Sequence, residues 1–197
     1  MRRSNRRGRD RFSDRAQKEG YPARSVYKLE EIDRRLGLLR RGQRCLDLGA
    51  SPGSWSLYAA ERVGERGKVL AIDLNEAKTQ FPPQVDYRVA DAFAANAEEL
   101  VAEGRFDVVL SDMAPSTTGK RDLDQYRSYE LFMRALNLSI EVLRPGGSFV
   151  GKIFQGPDFE AARKEVAQHF EQARILRPKA TRDVSYEVFL VGTRARA

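Results

Sequence analysis

The sequence has little of what several common protein classes depend on. It contains one cysteine, Cys45, and one histidine, His169, among 197 residues. A single cysteine excludes an internal disulfide, and the lack of a Cys/His cluster argues against a structural zinc site. No apolar run approaches the roughly 18 residues of a membrane-spanning helix, and no hydrophobic segment follows the N-terminal arginines as in a secretory signal. We therefore expect a cytoplasmic protein without metal or membrane span.

Acidic residues are scarce at the beginning of the chain. The first 44 residues contain 15 Lys and Arg against six Asp and Glu, whereas the whole chain contains 35 against 28, for a formal charge of +7. The basic excess therefore lies in the N-terminal part, which predicts a polyanionic partner, with nucleic acid as the leading candidate. A solubilising arm or a membrane-surface patch are alternatives, but the patch would lack apolar anchors.

Length and composition predict one α/β domain with an extension. The apolar fraction of 41% is enough for a hydrophobic core. Residues 1–12 form an arginine-rich arm that we expect to be disordered in isolation and to order on RNA phosphates, and residues 13–197 form the folded domain. Removal of Met1–Arg11 should then weaken RNA binding and flatten its salt dependence.

The segment Cys45–Val63 is the most informative part of the sequence. A short apolar run predicts a buried strand, a turn containing Gly49 and Gly53 follows, and Trp55–Val63 has the spacing of an amphipathic helix. Strand, glycine turn and helix are typical of a nucleotide-binding α/β unit. The glycine spacing fits neither the dinucleotide fingerprint nor a P-loop, which favours a ligand with a nucleoside and a zwitterionic tail. S-adenosylmethionine is such a ligand.

Charged residues stand at the C-terminal ends of successive predicted strands. The strand Lys68–Asp73 ends in an acid where Rossmann-like sheets bind ribose hydroxyls, although Asp73 could instead cap a following helix. Asp91, Asp112 and Lys152 stand at the ends of later strands. Alternating strands and helices predict a parallel sheet with helices on both faces, and ligands of such sheets lie beyond the C-terminal strand ends.

The flanking elements are predicted by the same patterns. A helix should begin behind Ser25 as its N-cap and end at Gly37. Lys28 lies in its first turn, where a cation is unfavourable against the helix dipole, so a functional role is one reason for it. Another helix is predicted over 158–170, and the last strands over 176–179 and 184–191.

Five segments resemble, in order, the motifs of the FtsJ (RrmJ/RlmE-type) RNA 2′-O-methyltransferases: Arg24–Leu29, Asp47–Trp55, Ser111–Pro115, Gly151–Gly156 and Ser185–Glu187. The resemblance extends from about Ser13 to Val191. It implies a Rossmann-like, S-adenosylmethionine-dependent methyltransferase fold with a mostly parallel seven-stranded sheet. Two departures are minor: Gly53-Ser54 replaces a glycine pair, and Thr181–Glu187 replaces the usual Ser-Arg-x-x-Ser-x-Glu ending.

The resemblance also implies a function and its residues. It implies a catalytic tetrad of Lys28, Asp112, Lys152 and Glu187. It implies cofactor contacts at Gly53, Trp55, Asp73, Asp91 and Asp112. For bacterial members, the implied substrate is a uridine 2′-hydroxyl in the A-loop of 23S rRNA on the assembled large ribosomal subunit. Methylation of tRNA or an mRNA cap is an alternative, and so is a non-catalytic RNA-binding assembly factor, which would be expected to lose Lys152 or Asp112.

Ribose methylation requires in-line positioning and an acceptor for the hydroxyl proton. A lysine can be that base if burial and a nearby cation lower its pKa. We assign Lys152 as the base, Asp112 as its orienter, and Lys28 and Glu187 as positioning and tuning groups. The four residues could instead form a structural ion-pair network, and Trp55 could be a core residue. Because no interface patch is evident, we take the chain to be a monomer.

Overall fold

The computed structural model describes residues 11–77, 79–94, 96–182 and 185–197. Residues 1–10 lie outside the described residues, so the predicted disorder of the arm stays a prediction. Arg11 and Phe12, which the sequence analysis placed in that arm, belong to the first helix, and the Phe12 ring lies 5.7 Å from that of Tyr27.

Strands and helices alternate along most of the chain. The strands are β1 (Arg44–Leu48), β2 (Lys68–Asp73), β3 (Val85–Val89), β4 (Phe106–Ser111), β5 (Leu143–Phe154), β6 (Phe170–Leu176) and β7 (Glu187–Ala195). The helices are α1 (Arg11–Lys18), α2 (Val26–Leu36), α3 (Ser54–Val63), α4 (Ala97–Leu100), α5 (Arg121–Val142) and α6 (Phe159–His169).

The seven strands form one sheet in the order β3-β2-β1-β4-β5-β7-β6. The first five strands pair in parallel, and β7 runs antiparallel to both β5 and β6. The predicted mostly parallel, seven-stranded sheet is therefore confirmed. The chain builds outward from β1 in one direction and from β4 in the other, so the switch point, where ligands bind in such sheets, lies between these two strands.

Helices cover both faces of the sheet. The face under α2 and α3 buries Leu29 and Trp55, and the opposite face buries Phe132 of α5 and Val166 of α6. Since successive side chains of a strand point to opposite faces, Val108 and Leu110 of β4 lie under α2 and α3, whereas Val109 lies under α5. Helices on both faces were predicted from the alternating pattern, and this prediction is confirmed.

One local prediction is wrong, and another is confirmed only in part. The strand predicted over 176–179 lies earlier, at β6, which begins at Phe170, a residue that the sequence analysis assigned to a helix. β6 is an edge strand with one buried residue, so its sequence lacks the apolar alternation that identifies a strand. The helix predicted between Ser25 and Gly37 is confirmed as α2, but Ser25 makes no side-chain capping hydrogen bond and its backbone is already helical (φ −58°, ψ −23°).

Candidate active site

The turn between β1 and α3 lies at the switch point of the sheet. Gly49 and Gly53 have φ angles of 76° and 110°, which residues with a side chain rarely adopt. A Cβ atom at Gly49 would come within 2.3 Å of Cγ of Met113, and one at Gly53 within 2.7 Å of Cγ2 of Thr79. Both positions therefore require glycine. The Ser51–Pro52 peptide in this turn is cis.

A cleft of about 520 Å³ opens beside this turn. We call it the acidic cleft, because its lining includes Asp73, Asp91 and Asp112 together with Gly49. Leu74 also lines it and is 71% exposed. The volume is that of a small-molecule site, and an apolar side chain among carboxylates suits a ligand with a flat base and a polar sugar.

Main-chain N–H groups hold two of these acids in place. Asp73 accepts hydrogen bonds from the nitrogens of Ser51 at 2.9 Å and Asn75 at 2.8 Å, and Asp91 accepts one from Phe93 at 2.9 Å. Between β2 and β3, the described residues contain no helix, so the alternative that Asp73 caps a following helix is wrong. Both acids lie where the sequence analysis placed them, at strand ends facing one cleft.

Two residues expected to contact a cofactor do not line the acidic cleft. Trp55 is 3% exposed, its Nε1 donates to the main-chain oxygen of Ser25 at 2.9 Å, and its ring lies 5.7 Å from that of Phe189. Gly53 is covered by Thr79 and a neighbouring ring. Trp55 thus ties α3 to the residue before α2. Contact of either residue with a cofactor stays a prediction.

The four residues of the expected tetrad form two ion pairs. Nζ of Lys28 lies 2.5 Å from Oε1 of Glu187, and Nζ of Lys152 lies 3.0 Å from Oδ1 of Asp112. Lys152 also donates a hydrogen bond to the main-chain oxygen of Asp112. All four side chains are between 7% and 17% exposed. Residues that are distant in sequence are therefore paired in a largely desolvated setting.

Strand register brings the two pairs together. Lys152 of β5 is opposite Phe189 of β7, and Phe154 is opposite Glu187. Lys152 and Glu187 are therefore diagonal neighbours on one face, which places their Cβ atoms about 7 Å apart. Nζ of Lys28 reaches down from α2 to 5.9 Å from the centre of the Phe189 ring. Both ion pairs thus lie around Phe189, on the face covered by α2 and α3.

A second cleft, of about 330 Å³, meets the tetrad at Lys28 and Glu187, and we call it the basic cleft. Arg24 and Arg182 line it as well. Burial lowers the pKa of Arg24, the positive charge of Arg182 lowers it further, and Glu187 opposes both effects. The sequence analysis gave these two arginines no role. Guanidinium groups suit phosphates, so the tetrad lies between an acidic cleft and one that can receive a phosphodiester.

Asp47 is a residue of the site that the sequence analysis missed. It is 1% exposed, accepts a hydrogen bond of 2.6 Å from the hydroxyl of Ser56, and leaves its other oxygen buried without a hydrogen-bond partner. Burial raises the pKa of Asp47 to about 7; the Ser56 hydrogen bond opposes this rise, and the charges of Asp112 and Asp73 add to it. The feature of the sequence that could have identified Asp47 is an acidic residue inside an otherwise apolar strand.

The buried acids fit a cationic ligand. Oδ1 of Asp112 is buried as well, and its partner is the ammonium of Lys152 at 3.0 Å. A positive charge nearby would relieve the cost of leaving the Asp47 oxygen unpaired. The acidic cleft therefore has the charge and the size for a nucleoside that carries a cationic centre.

Two other features are absent from the part of the chain that the structure describes. There, no three His, Cys, Asp or Glu side chains are arranged to hold a metal ion. Nor does that part contain a helix long and apolar enough to cross a membrane.

Comparison with known proteins gives consistent matches. A family model described as FtsJ-like methyltransferase matches residues 21–195. A protein named Ribosomal RNA large subunit methyltransferase E from Sorangium cellulosum is 54% identical over 188 residues, which cover 95% of this chain and 89% of the relative. A protein of the same name from Oleidesulfovibrio alaskensis is 50% identical, with coverages of 93% and 90%.

The fold also matches a solved structure. A crystal structure from Plasmodium falciparum, provisionally described as that of a ribosomal RNA methyltransferase, has a TM-score of 0.78. It is 24% identical and the match covers 89% of this chain and 98% of the other. At that identity the likeness concerns the fold alone.

Proposed function

Since the chain belongs to the FtsJ-like methyltransferase family, we propose that it methylates the 2′-oxygen of a uridine in the A-loop of 23S rRNA, with S-adenosylmethionine as the methyl donor. The observation that carries this proposal is the meeting of two lysine–carboxylate pairs between an acidic and a basic cleft. The names of the relatives support large-subunit rRNA as the substrate class.

The acidic cleft is the proposed place of the cofactor. Asp73 and Asp91 offer carboxylate oxygens to hydroxyl and amino groups, and Asp112 offers negative charge to a cationic centre. The turn at Gly49 lets the main chain approach closely. When bound, S-adenosylmethionine supplies an activated methyl group to the site.

The chain's own contribution to the reaction is to position the ribose and to take its proton. As the 2′-oxygen takes up the methyl group, the proton of the hydroxyl would pass to Nζ of Lys152. Asp112 holds that nitrogen through its main-chain oxygen and its carboxylate. A positioned base of this kind contributes about 10²–10⁴-fold to a rate.

The second ion pair and the basic cleft serve the RNA. Lys28 and Glu187 brace each other at 2.5 Å, so each has a fixed position beside the ribose that reaches Lys152. Arg24 and Arg182 line the same cleft and suit the phosphates on either side of that ribose. The largely buried setting excludes water and strengthens these charge interactions.

The experiment that tests this function is an incubation with methyl-labelled S-adenosylmethionine and four acceptors. These are large ribosomal subunits that lack the modification, free 23S rRNA, tRNA and capped mRNA. We expect label on a uridine ribose of large-subunit rRNA, mapped by primer extension or mass spectrometry. Label confined to tRNA or to the cap would contradict the rRNA assignment. RNA binding without label in any acceptor would identify a non-catalytic assembly factor.

A further inference from the structure

A further cleft, of about 300 Å³, lies at the N-terminal ends of the parallel strands, whereas the candidate active site lies at their C-terminal ends. It forms where β4 and β5 begin and β7 ends, and Asp107, Ser148 and Thr193 line it. Asp107 of β4 lines this cleft, and Asp112, the residue that follows β4, lines the acidic one. The two aspartates are five positions apart, and a strand rises about 3.3 Å per residue, so they lie about 16 Å apart. One small ligand therefore cannot occupy both sites.

Arginine dominates the lining of this cleft, which we call the arginine cleft. Its arginines come from the end of α2, the loop after it, and strands β5, β6 and β7: Arg35, Arg40, Arg144, Arg174 and Arg194. Asp107 is the acid among the described lining residues. Three of the arginines have a carboxylate partner, within 3.5 Å in each case. The cleft therefore carries a surplus of positive charge.

Arg40 and Arg174 supply this surplus. Their side chains donate to neutral acceptors, Arg40 to the main-chain oxygen of Gly37 and Arg174 to the side-chain oxygen of Gln172, each at 3.3 Å. Within the described ranges, no carboxylate lies within 4 Å of either guanidinium. Both residues are exposed and can reach an anion without breaking an ion pair.

The lining also indicates which kind of anion fits. Guanidinium forks match phosphate oxygens, and five of them on five different elements suit an extended row of phosphates more than a single one. Among the described lining residues there is no aromatic side chain on which a base could stack. Single-stranded bases are usually bound by such stacking, whereas double-stranded RNA is bound through its backbone.

We propose that the arginine cleft binds the backbone phosphates of a double-stranded rRNA segment, separate from the one that enters the active site. The proposal rests on the proposed function for the identity of the RNA. The two sites lie at opposite ends of the parallel strands. A folded ribosomal particle can therefore contact both sites at once, whereas a short RNA contacts one. The cleft thus gives the enzyme a sequence-independent contact that favours the particle as substrate.

The test compares Arg40→Gln/Arg174→Gln with a charge-matched control, Arg163→Gln/Lys164→Gln on α6. The probe is a fluorescein-labelled RNA hairpin stem without the A-loop sequence, and its affinity is measured by anisotropy at increasing KCl. For the cleft variant, we expect the slope of log affinity against log salt to flatten by about 1 per arginine. The control should keep the wild-type slope.

Three outcomes would overturn the proposal. The cleft variant and the control could have equal slopes. Inorganic phosphate or ADP could saturate the wild type but not the cleft variant while the RNA slope stays unchanged, which would identify a site for small phosphate compounds. Thermal melting could show that the double variant is unfolded; the single variants Arg40→Gln and Arg174→Gln then replace it, and a wild-type slope in both of these folded variants would overturn the proposal.

Failure of this proposal is distinguishable from failure of the proposed function. The hairpin stem measures phosphate binding and involves no methyl transfer. If the wild type transfers no methyl group to any acceptor but the slope changes as expected, the function fails and the cleft remains. If methyl transfer occurs and the slopes are equal, only the cleft proposal fails.

Discussion

Strand β4 has an aspartate at each end, and the two are bonded differently. One carboxylate oxygen of Asp107 accepts from the main-chain nitrogen of Arg44 at 2.7 Å, and the other accepts from Nε of Arg144 at 2.5 Å. Oδ1 of Asp112 has Nζ of Lys152 as its ion-pair partner at 3.0 Å, and the residue also lines the acidic cleft. A carboxylate whose two oxygens are both bonded within the protein joins strands and loops, whereas one that lines a cleft can also contact a ligand. At the N-terminal end of β4 the aspartate stabilises the fold, whereas beyond the C-terminal end the aspartate faces the candidate active site.

Of the substitutions that test this difference, Asp112→Asn should have the largest effect on methyl transfer. The change removes the charge that faces Lys152 and a carboxylate that lines the acidic cleft. We expect kcat/KM for methyl transfer to large subunits to fall by about 10³–10⁴-fold, because both the base and the cofactor site lose a partner. Radiolabel incorporation at several concentrations of the methyl donor measures it.

Asp107→Asn is the matched control, since it is the same substitution at the other end of the same strand. It weakens the contact with Arg144, and we expect a loss of stability of about 1 kcal/mol with unchanged methyl transfer. Equal losses of kcat/KM in the two variants would show that the two ends of β4 do not differ in function.

Breaking the pair of Lys28 and Glu187 should have the next largest effect. Both side chains are largely buried, so Lys28→Met leaves a carboxylate without its partner, and we expect a loss of about 3 kcal/mol in the free energy of unfolding. The double variant Lys28→Met/Glu187→Leu should recover part of that loss, because no charge remains unpaired. Urea unfolding of Lys28→Met, Glu187→Leu and the double variant measures these losses.

The exposed pair of Arg163 and Glu160 provides the control for this cycle. Its side chains are 43% and 61% exposed, so removal of either should change stability by less than about 1 kcal/mol. If the two substitutions at Lys28 and Glu187 were simply additive, the pair would not be an interacting unit of the site.

Asp47 should give the smallest of these effects, as a dependence of stability on pH. Burial raises its pKa to about 7 in the folded protein, against about 3.9 in the unfolded chain. Between these values the folded state keeps the proton that the unfolded state has lost, so stability falls as pH rises from about 4 to about 7.

Asp47→Asn removes this proton and with it the dependence. Relative to the wild type, the variant should gain about 2 kcal/mol in unfolding free energy between pH 5.5 and pH 8. Urea unfolding without ligand at several pH values measures the difference. A difference between the two proteins that is the same at all pH values would mean that Asp47 does not titrate in this range.

The sequence predicts the parts of the site that depend on local pattern. The apolar run before Gly49 and the acids at Asp73 and Asp91 follow from strand periodicity and from the rule that parallel strands end at one edge. The edge strand β6 was misplaced, because its exposed, polar sequence contains no such pattern.

The pairings in the site could not be predicted in this way. Resemblance located Lys28 and Glu187, but their contact depends on how α2 packs over β7 and on the β5–β7 register. Asp47 was missed although an acid inside an apolar strand marks it, because its full burial and its unpaired oxygen are visible only in the fold. The arginine cleft was missed as well, since the charge count placed the basic excess at the N-terminus, whereas Arg174 comes from β6.

Lys152→Ala tests the central claim most directly, with Lys164→Ala on the surface of α6 as the control. The same preparation is measured twice, by single-turnover methyl transfer to large ribosomal subunits and by calorimetric titration with S-adenosylmethionine. The account predicts a rate lower by about 10²–10⁴-fold with nearly unchanged cofactor affinity, because the proton acceptor is lost while the acidic cleft remains. Transfer at the wild-type rate would contradict the assignment of Lys152 as the base.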